Sequence, residues 1–146
     1  MKVAIVAVGR VKERGLRAAI DDYVQRISRY AKVSEVELDD GPDADVEAKF
    51  RKAIPARARV VALEVDGTRL TSEKFARWLE QCEIGAVPAV VFCIGGSYGL
   101  PKGLSQTADL RLSMSDMILP HRLARLVLAE QIYRAFTILR NEPYSH

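Results

Sequence analysis

Few cysteines, few histidines and no long apolar run mark this sequence. Only Cys82 and Cys93 occur among its 146 residues, neither in a Cys-x-x-Cys pair. A disulfide framework and a cysteine-based zinc site are therefore excluded, and a reducing, cytoplasmic setting is expected. The two histidines, His121 and His146, stand far apart, and no HExxH or calcium-loop spacing is present. No metal is expected. No stretch reaches eighteen apolar residues, so a membrane partner is not expected either. The apolar run at residues 1–8 ends at Gly9-Arg10 and is followed by Lys12, Glu13, Arg14 and Arg17. Without a small-residue cleavage pattern it is expected to be a first strand and not a targeting segment. Dinucleotide GxGxxG and Walker GK[ST] signatures are both absent, which argues against nicotinamide redox and P-loop chemistry.

What is present is an ordinary globular balance. Hydrophobic residues make up 49% and charged residues 28%, enough apolar material for one substantial core and too much for disorder. The length predicts a single domain over residues 1–146. The formal charge is only +3, but the charges are segregated. Residues 1–32 carry eight Lys/Arg against three acids, residues 33–48 carry seven acids and no base, and residues 49–59 add five bases. That asymmetry can build a basic face on a modestly charged whole, and a solvated surface is the plain alternative.

Strand-like and helical patterns alternate. Residues 2–8 form a short apolar strand. Over residues 13–30, Leu16, Ile20, Tyr23 or Val24, Ile27 and Tyr30 recur at the spacing of one buried helix face. Residues 33–38 alternate apolar and polar, as expected of a half-exposed peripheral strand, and a helix is expected over 46–54, stopping near Pro55. A strand over 59–65 is predicted to end at Asp66-Gly67. Thr71 or Ser72 caps a helix running to about Cys82, with Phe75, Trp78 and Leu79 inward. Residues 88–94 are almost wholly apolar, the signature of a central parallel strand covered on both faces. A short helix near 104–108, a short strand at 110–112 and a long helix over 120–139 complete the pattern, with Asn141 and Pro143 as stop signals. Repeated strand–helix units predict a three-layer α/β domain with a parallel sheet.

Open parallel sheets bind ligands at the carboxyl ends of their strands. The segment after the central strand reads Gly95-Gly96-Ser97-Tyr98-Gly99, whose glycines permit close backbone approach to a nucleotide-like or sulfonium ligand; a tight turn into a helix is the simpler reading. Residues 63–67 and 113–120 can close around the same ligand, with Met114, Met117, Ile118 and Leu119 as an adaptable apolar wall or as plain packing for the last helix. Asp66 and Asp116 do not establish a carboxylate pair, and Cys82 and Cys93 fit packing better than nucleophilic chemistry. At the start of the last helix, His121 and Arg122 can reach a polyanion, with Arg125 one turn on. Glu130 and Arg134 form an i,i+4 pair. In the tail, Tyr144 can stack on a base and His146 can contact phosphate or assist proton transfer, against simple fraying of a short terminus.

Three segments, VAVGRVKE, VVFCIGGSYGL and LSMSDMILPHRLARLVLAEQIYRAFTILRNEPY, together resemble the RlmH family of ribosomal large-subunit pseudouridine methyltransferases in the SPOUT superfamily. The resemblance spans nearly the whole chain. It implies an α/β, SPOUT-type three-layer parallel-sheet domain with a deep C-terminal trefoil knot, the cofactor-binding knot lying at about residues 63–140. A knot of that kind departs from ordinary connection rules and is not readable from periodicity. The resemblance further implies a homodimer that uses S-adenosylmethionine to methylate N3 of a pseudouridine in 23S rRNA, within the ribosome or its large subunit. Gly95 and Gly96, then Leu63, Met114 and Leu119, are the implied cofactor residues. His121, Tyr144 and His146 are the implied catalytic group, and Arg122, Arg125 and Tyr144 the implied RNA contacts.

One departure stands out. Tails of the family usually continue Tyr-His-Arg or Tyr-His-Lys, whereas this chain reads Tyr144-Ser145-His146. A serine replaces the usual histidine, and the terminal cation becomes a histidine, mostly unprotonated at neutral pH when unperturbed. Two other readings remain at this point: a related SPOUT enzyme acting on another RNA, and a noncatalytic ribosome-binding homologue.

Overall fold

In the computed structural model, which describes residues 1–144, five strands form one parallel sheet. The strands are β1 (Lys2–Val8), β2 (Lys32–Leu38), β3 (Arg59–Arg69), β4 (Ala89–Ile94) and β5 (Leu110–Ser113). The helices are α1 (Arg14–Ile27), α2 (Asp43–Ala53), α3 (Ser72–Ile84), α4 (Lys102–Gln106) and α5 (His121–Leu139). The spatial order is β2-β1-β4-β3-β5, with every neighbouring pair parallel.

The sequence explains these positions. All six residues of β4 are buried, and the strand is central. The alternating β2 is an edge strand. Side chains of a strand point to opposite faces in turn. Val3, Ile5, Val90 and Phe92 therefore join one core with Ile27 of α1, Leu79 of α3, and Leu128, Ile132 and Phe136 of α5. Val6, Val8, Val91 and Cys93 join the other with Phe50 of α2 and Leu104 of α4. Helices cover both faces of the sheet, and Leu128 of α5 is buried while its neighbour Val127 is exposed.

Cap chemistry sets two helix ends that matter. Thr71 accepts the Lys74 backbone N–H at 3.1 Å and opens α3. At the far end of α5, Asn141 adopts φ 57, and the amides of Asn141 and Glu142 return to Ile138 and Thr137. That left-handed stop turns the tail back onto the helix. Both cysteines are free and buried, and burial pushes the Cys93 thiol up to about 12, as expected of packing residues.

One strand differs from expectation. β3 does not end at Asp66-Gly67 but runs on to Arg69, and Leu63 and Thr68 both face Leu112, so the residues between them bulge out of the ladder. The polar Glu64 and Asp66 hide this continuation, because they interrupt the apolar pattern that marks a strand. Gly67 lets the strand rejoin: a Cβ there would lie 2.7 Å from the Arg111 carbonyl carbon.

Candidate functional site

The carboxyl ends of β3, β4 and β5 open into one cleft of about 730 Å³. It falls inside the roughly 300–1,000 Å³ range of small-molecule sites. Three chain segments wall it. The β3 bulge contributes Leu63, Glu64, Val65 and Asp66; the loop after β4 contributes Gly95, Gly96, Ser97 and Gly99; the β5–α5 connection brings Met114, Leu119 and His121. All five expected cofactor residues line this cleft, and His121 and Arg122 line it with them.

The glycine loop is a tight hairpin. Gly99 donates its amide to the Gly96 carbonyl at 3.0 Å and has φ 83. A Cβ on Gly95 would stand 2.3 Å from the Gly99 carbonyl carbon, an impossible approach. A Cβ on Gly96 would press the Val8 side chain at 3.0 Å. Backbone close-packing demands glycine at 95, whereas at 96 the limit is the Val8 side chain.

Opposite lies the β5–α5 connection. Ser113 Oγ donates to the Ser115 carbonyl at 3.1 Å, and Ser115 Oγ accepts the Met117 amide at 2.9 Å, which shapes the turn. Asp116 pairs with Arg69 at the end of β3. Asp66 pairs with Arg111 at 2.9 Å, so the two aspartates are held by different arginines. Glu64 behaves differently. Burial raises its carboxyl above the ordinary value; Arg111, at 3.5 Å, pulls it down, and nearby Asp66 adds to the rise. The result is a half-buried carboxylate with one long ion pair, facing the cleft.

His121 opens α5 against Gly9 at the end of β1. Gly9 has φ 93, and a Cβ there would stand 3.4 Å from His121 Cε1. His121 Nδ1 is buried without a hydrogen-bond partner, and the residue lines the cleft. Arg122 is exposed and pairs with Glu13 at 3.1 Å.

Arg125 requires a correction. The sequence places it beside His121 as an RNA contact, yet its side chain is fully buried. It donates to Glu35 at 3.0 Å, to Glu37 at 2.5 Å and to the Gly9 carbonyl at 3.0 Å. A cation enclosed by these acceptors cannot meet a phosphate; it is a structural clamp. One helical turn separates an exposed from a buried arginine, and periodicity assigns that turn only when the partner carboxylates are known.

Tyr144 lies away from the cleft. Its hydroxyl donates to Glu130 at 2.7 Å, its ring meets Tyr133 edge-on at 4.7 Å, and Arg134 sits 5.0 Å above its centroid. Burial first, then hydrogen bonds with Tyr23 and Glu130, raise the phenol far above its ordinary value, so the hydroxyl stays protonated. Glu130 and Arg134 form the expected pair at 2.8 Å, and Glu130 also receives the tail. His146, with Ser145, lies outside the described residues. The residues that sequence reasoning missed are Glu64, hidden inside a bulge, and Gly9, whose only signal was a glycine at the end of the first strand.

Residues 1–146 match the family of predicted SPOUT methyltransferases. The protein called ribosomal RNA large subunit methyltransferase H in Sorangium cellulosum is 50% identical over 146 residues, covering 100% of this chain and 100% of that one. Its namesake in Geobacter sulfurreducens is 39% identical over 153 residues, again covering 100% of both chains. The one in Acetivibrio thermocellus is 41% identical over 157 residues, covering 99% of each. With a match along the entire chain and a cleft formed where the family resemblance expects one, this protein belongs to the SPOUT methyltransferase family.

Proposed function

We propose that this chain uses S-adenosylmethionine to methylate N3 of a pseudouridine in 23S rRNA, acting in the cytoplasm as a homodimer on the ribosome or its large subunit. One observation carries the reading: Leu63, Gly95, Gly96, Met114 and Leu119, far apart in sequence, line a single cleft beside His121. Residues 63–140 are read as the cofactor-binding knot, a deep trefoil within a single domain spanning 1–146.

The residues fit the cofactor. Met114, Leu119 and Leu63 offer an apolar bed for a purine, and the hairpin at 95–99 brings backbone polar groups to the cleft edge. Glu64 supplies a carboxylate for a ligand carrying sulfonium and ammonium charge. S-adenosylmethionine, when bound, supplies an electrophilic methyl group.

The chain must position the uracil-like ring and handle one proton, because N3 is a poor nucleophile until it loses its hydrogen. His121 is the group at the cleft suited to accept that proton. Arg122 neutralises backbone phosphate or the developing anion. Tyr144 packs against Glu130, Tyr133 and Arg134 of α5.

A second copy completes the RNA cleft. Met117 and Ile118 are 79% and 83% exposed, and Leu123 and Val127 extend this apolar surface along α5. Exposed apolar side chains of that number on a chain this small support pairing with itself. The test is transfer of a tritiated methyl group to assembled ribosomes lacking the modification, with the labelled nucleoside then identified. Product at pseudouridine N3 is expected. Label on another base points to a related RNA enzyme, and cofactor binding without product overturns the catalytic reading.

A further inference from the structure

We propose that residues 9–14, the β1–α1 loop with the first residue of α1, are a phosphate-binding strip for the RNA substrate, presenting Arg10, Lys12 and Arg14 beside the His121 and Arg122 wall of the cleft on a backbone clamped by Arg125 and Glu37. This rests on the RNA-methyltransferase reading above and extends it to a surface outside the cleft.

The loop leaves the carboxyl end of β1, which neighbours β4 in the sheet, so it rises on the same edge as the glycine hairpin. Two contacts tie it to the cleft wall: Gly9 packs against His121, and Glu13 pairs with Arg122. Arg10, Lys12 and Arg14 are all exposed. Among the described residues none of the three has an ion pair, whereas Arg17, one helical turn further, is held by Asp21, Glu35 and Glu37. Exposed cations concentrated within five residues are the footprint of phosphate recognition, and their lack of internal partners leaves them free for it.

The backbone beneath them is not loose. Arg125 donates to the Gly9 carbonyl at 3.0 Å, and Glu37 accepts the Val11 amide at 3.0 Å. Val11 itself is buried. The loop therefore holds its cations at fixed positions before RNA arrives, which reduces the ordering cost of binding. Glu13 is the single carboxylate in the loop, and a phosphate would compete with it for Arg122.

The test compares two triple variants of equal charge change. One carries Arg10→Gln, Lys12→Gln and Arg14→Gln. The other carries Arg29→Gln, Lys32→Gln and Lys52→Gln, exposed residues near the amino ends of the strands. Co-sedimentation with unmodified ribosomes is measured across salt concentrations, and S-adenosylmethionine affinity by calorimetry. For the loop variant, ribosome affinity should fall about tenfold or more, and the salt slope should shrink by about 2 to 3, one increment per lost phosphate contact. Cofactor affinity should stay within about twofold of the parent, with the control retaining both slope and affinity. Should the triple variant misfold, Arg10→Gln and Lys12→Gln singly should each reduce the slope by about 0.7 to 0.9. An unchanged slope in the loop variant, or an equal loss in the control, overturns the proposal. A parent that binds ribosomes through this loop but yields no methylated product would sink the catalytic reading and leave the strip standing. A parent that binds no ribosomes sinks the strip.

Discussion

The guanidinium of Arg125 donates to the carbonyl oxygen of Gly9 at 3.0 Å, joining residues 116 positions apart. Through that bond and its pairs with Glu35 and Glu37, the first turns of α5 are fixed against the ends of β1 and β2. His121 and Arg122 lie on the same helical turns, so the geometry of the proposed RNA side of the cleft depends on an ion cluster that does not line it.

Replacing Arg125 by methionine should be severe. The substitution keeps much of the volume but leaves the Gly9 carbonyl without its donor and Glu35 and Glu37 with Arg17 as their remaining cation. Breaking a buried pair from one side costs about 3–5 kcal/mol. A urea-unfolding midpoint close to that of the parent would refute the clamp. Arg125→Lys should recover only part of the loss, because an ammonium cannot reproduce the planar fork that reaches three acceptors.

The same cluster sets an acid limit. Burial alone would raise the Glu37 carboxyl, but hydrogen bonds from Arg125 and the Val11 amide overcome it and hold the group below its ordinary 4.5. A carboxyl depressed in the folded state contributes stability that is fully present above its unfolded value and lost as pH falls through the folded one. Stability measured by urea titration should therefore drop as pH decreases below about 4.5, and the drop should be shallower in Glu37→Gln.

Gly95 and Gly96 should respond differently to alanine. At Gly95 the new methyl would collide with the Gly99 backbone, which has nowhere to go. At Gly96 it would meet a Val8 methyl that can shift by a few tenths of an ångström. Calorimetry should show S-adenosylmethionine affinity reduced about 30-fold or more for Gly95→Ala, equivalent to about 2 kcal/mol, and clearly less for Gly96→Ala. Equal effects would mean that the hairpin does not shape the site.

Much of this architecture was legible because burial leaves a periodic mark. The unbroken apolar run of β4 and the alternation of β2 predicted a central and an edge strand, which is where both lie. The tight turn of the glycine segment was legible too, since paired glycines after a buried strand mark a close backbone turn. The β3 bulge was not, because Asp66-Gly67 read as the end of a strand that in fact runs on to Arg69. Arg125 was misplaced for a related reason. Its burial depends on Glu35 and Glu37, about ninety residues earlier on an edge strand, and local spacing carries no information about a partner so distant.

The apolar surface of α5 offers a test of self-association. Leu123 and Val127 are 38% and 37% exposed, an uncommon state for two aliphatic residues four apart on a helix otherwise packed on the core. If a second copy covers them, Leu123→Glu combined with Val127→Glu should yield a monomer by sedimentation velocity while leaving helical content intact. Ribosome methylation should fall with dimer content, since the RNA cleft is proposed to draw on both copies. A monomeric double variant with full activity would show that one chain suffices.

Glu64 should trade stability against binding. Burial first, with Asp66 adding to it against the pull of Arg111, raises its carboxyl above 4.5. Between the ordinary and the raised value the folded chain holds more protons than the unfolded one, so this group lowers stability as pH rises through that window and continues to do so at pH 7. Removing the charge in Glu64→Gln should thus raise the urea midpoint at pH 7, with the gain fading below about pH 4.5. The same carboxylate faces the cleft that we assign to a cationic cofactor. Losing a charge-assisted contact there should weaken S-adenosylmethionine binding about tenfold. The neutral product S-adenosylhomocysteine, which lacks the sulfonium, should lose less. A variant that is stabilised yet binds both ligands as the parent does would remove Glu64 from the cofactor site while leaving the electrostatic account of its burial intact.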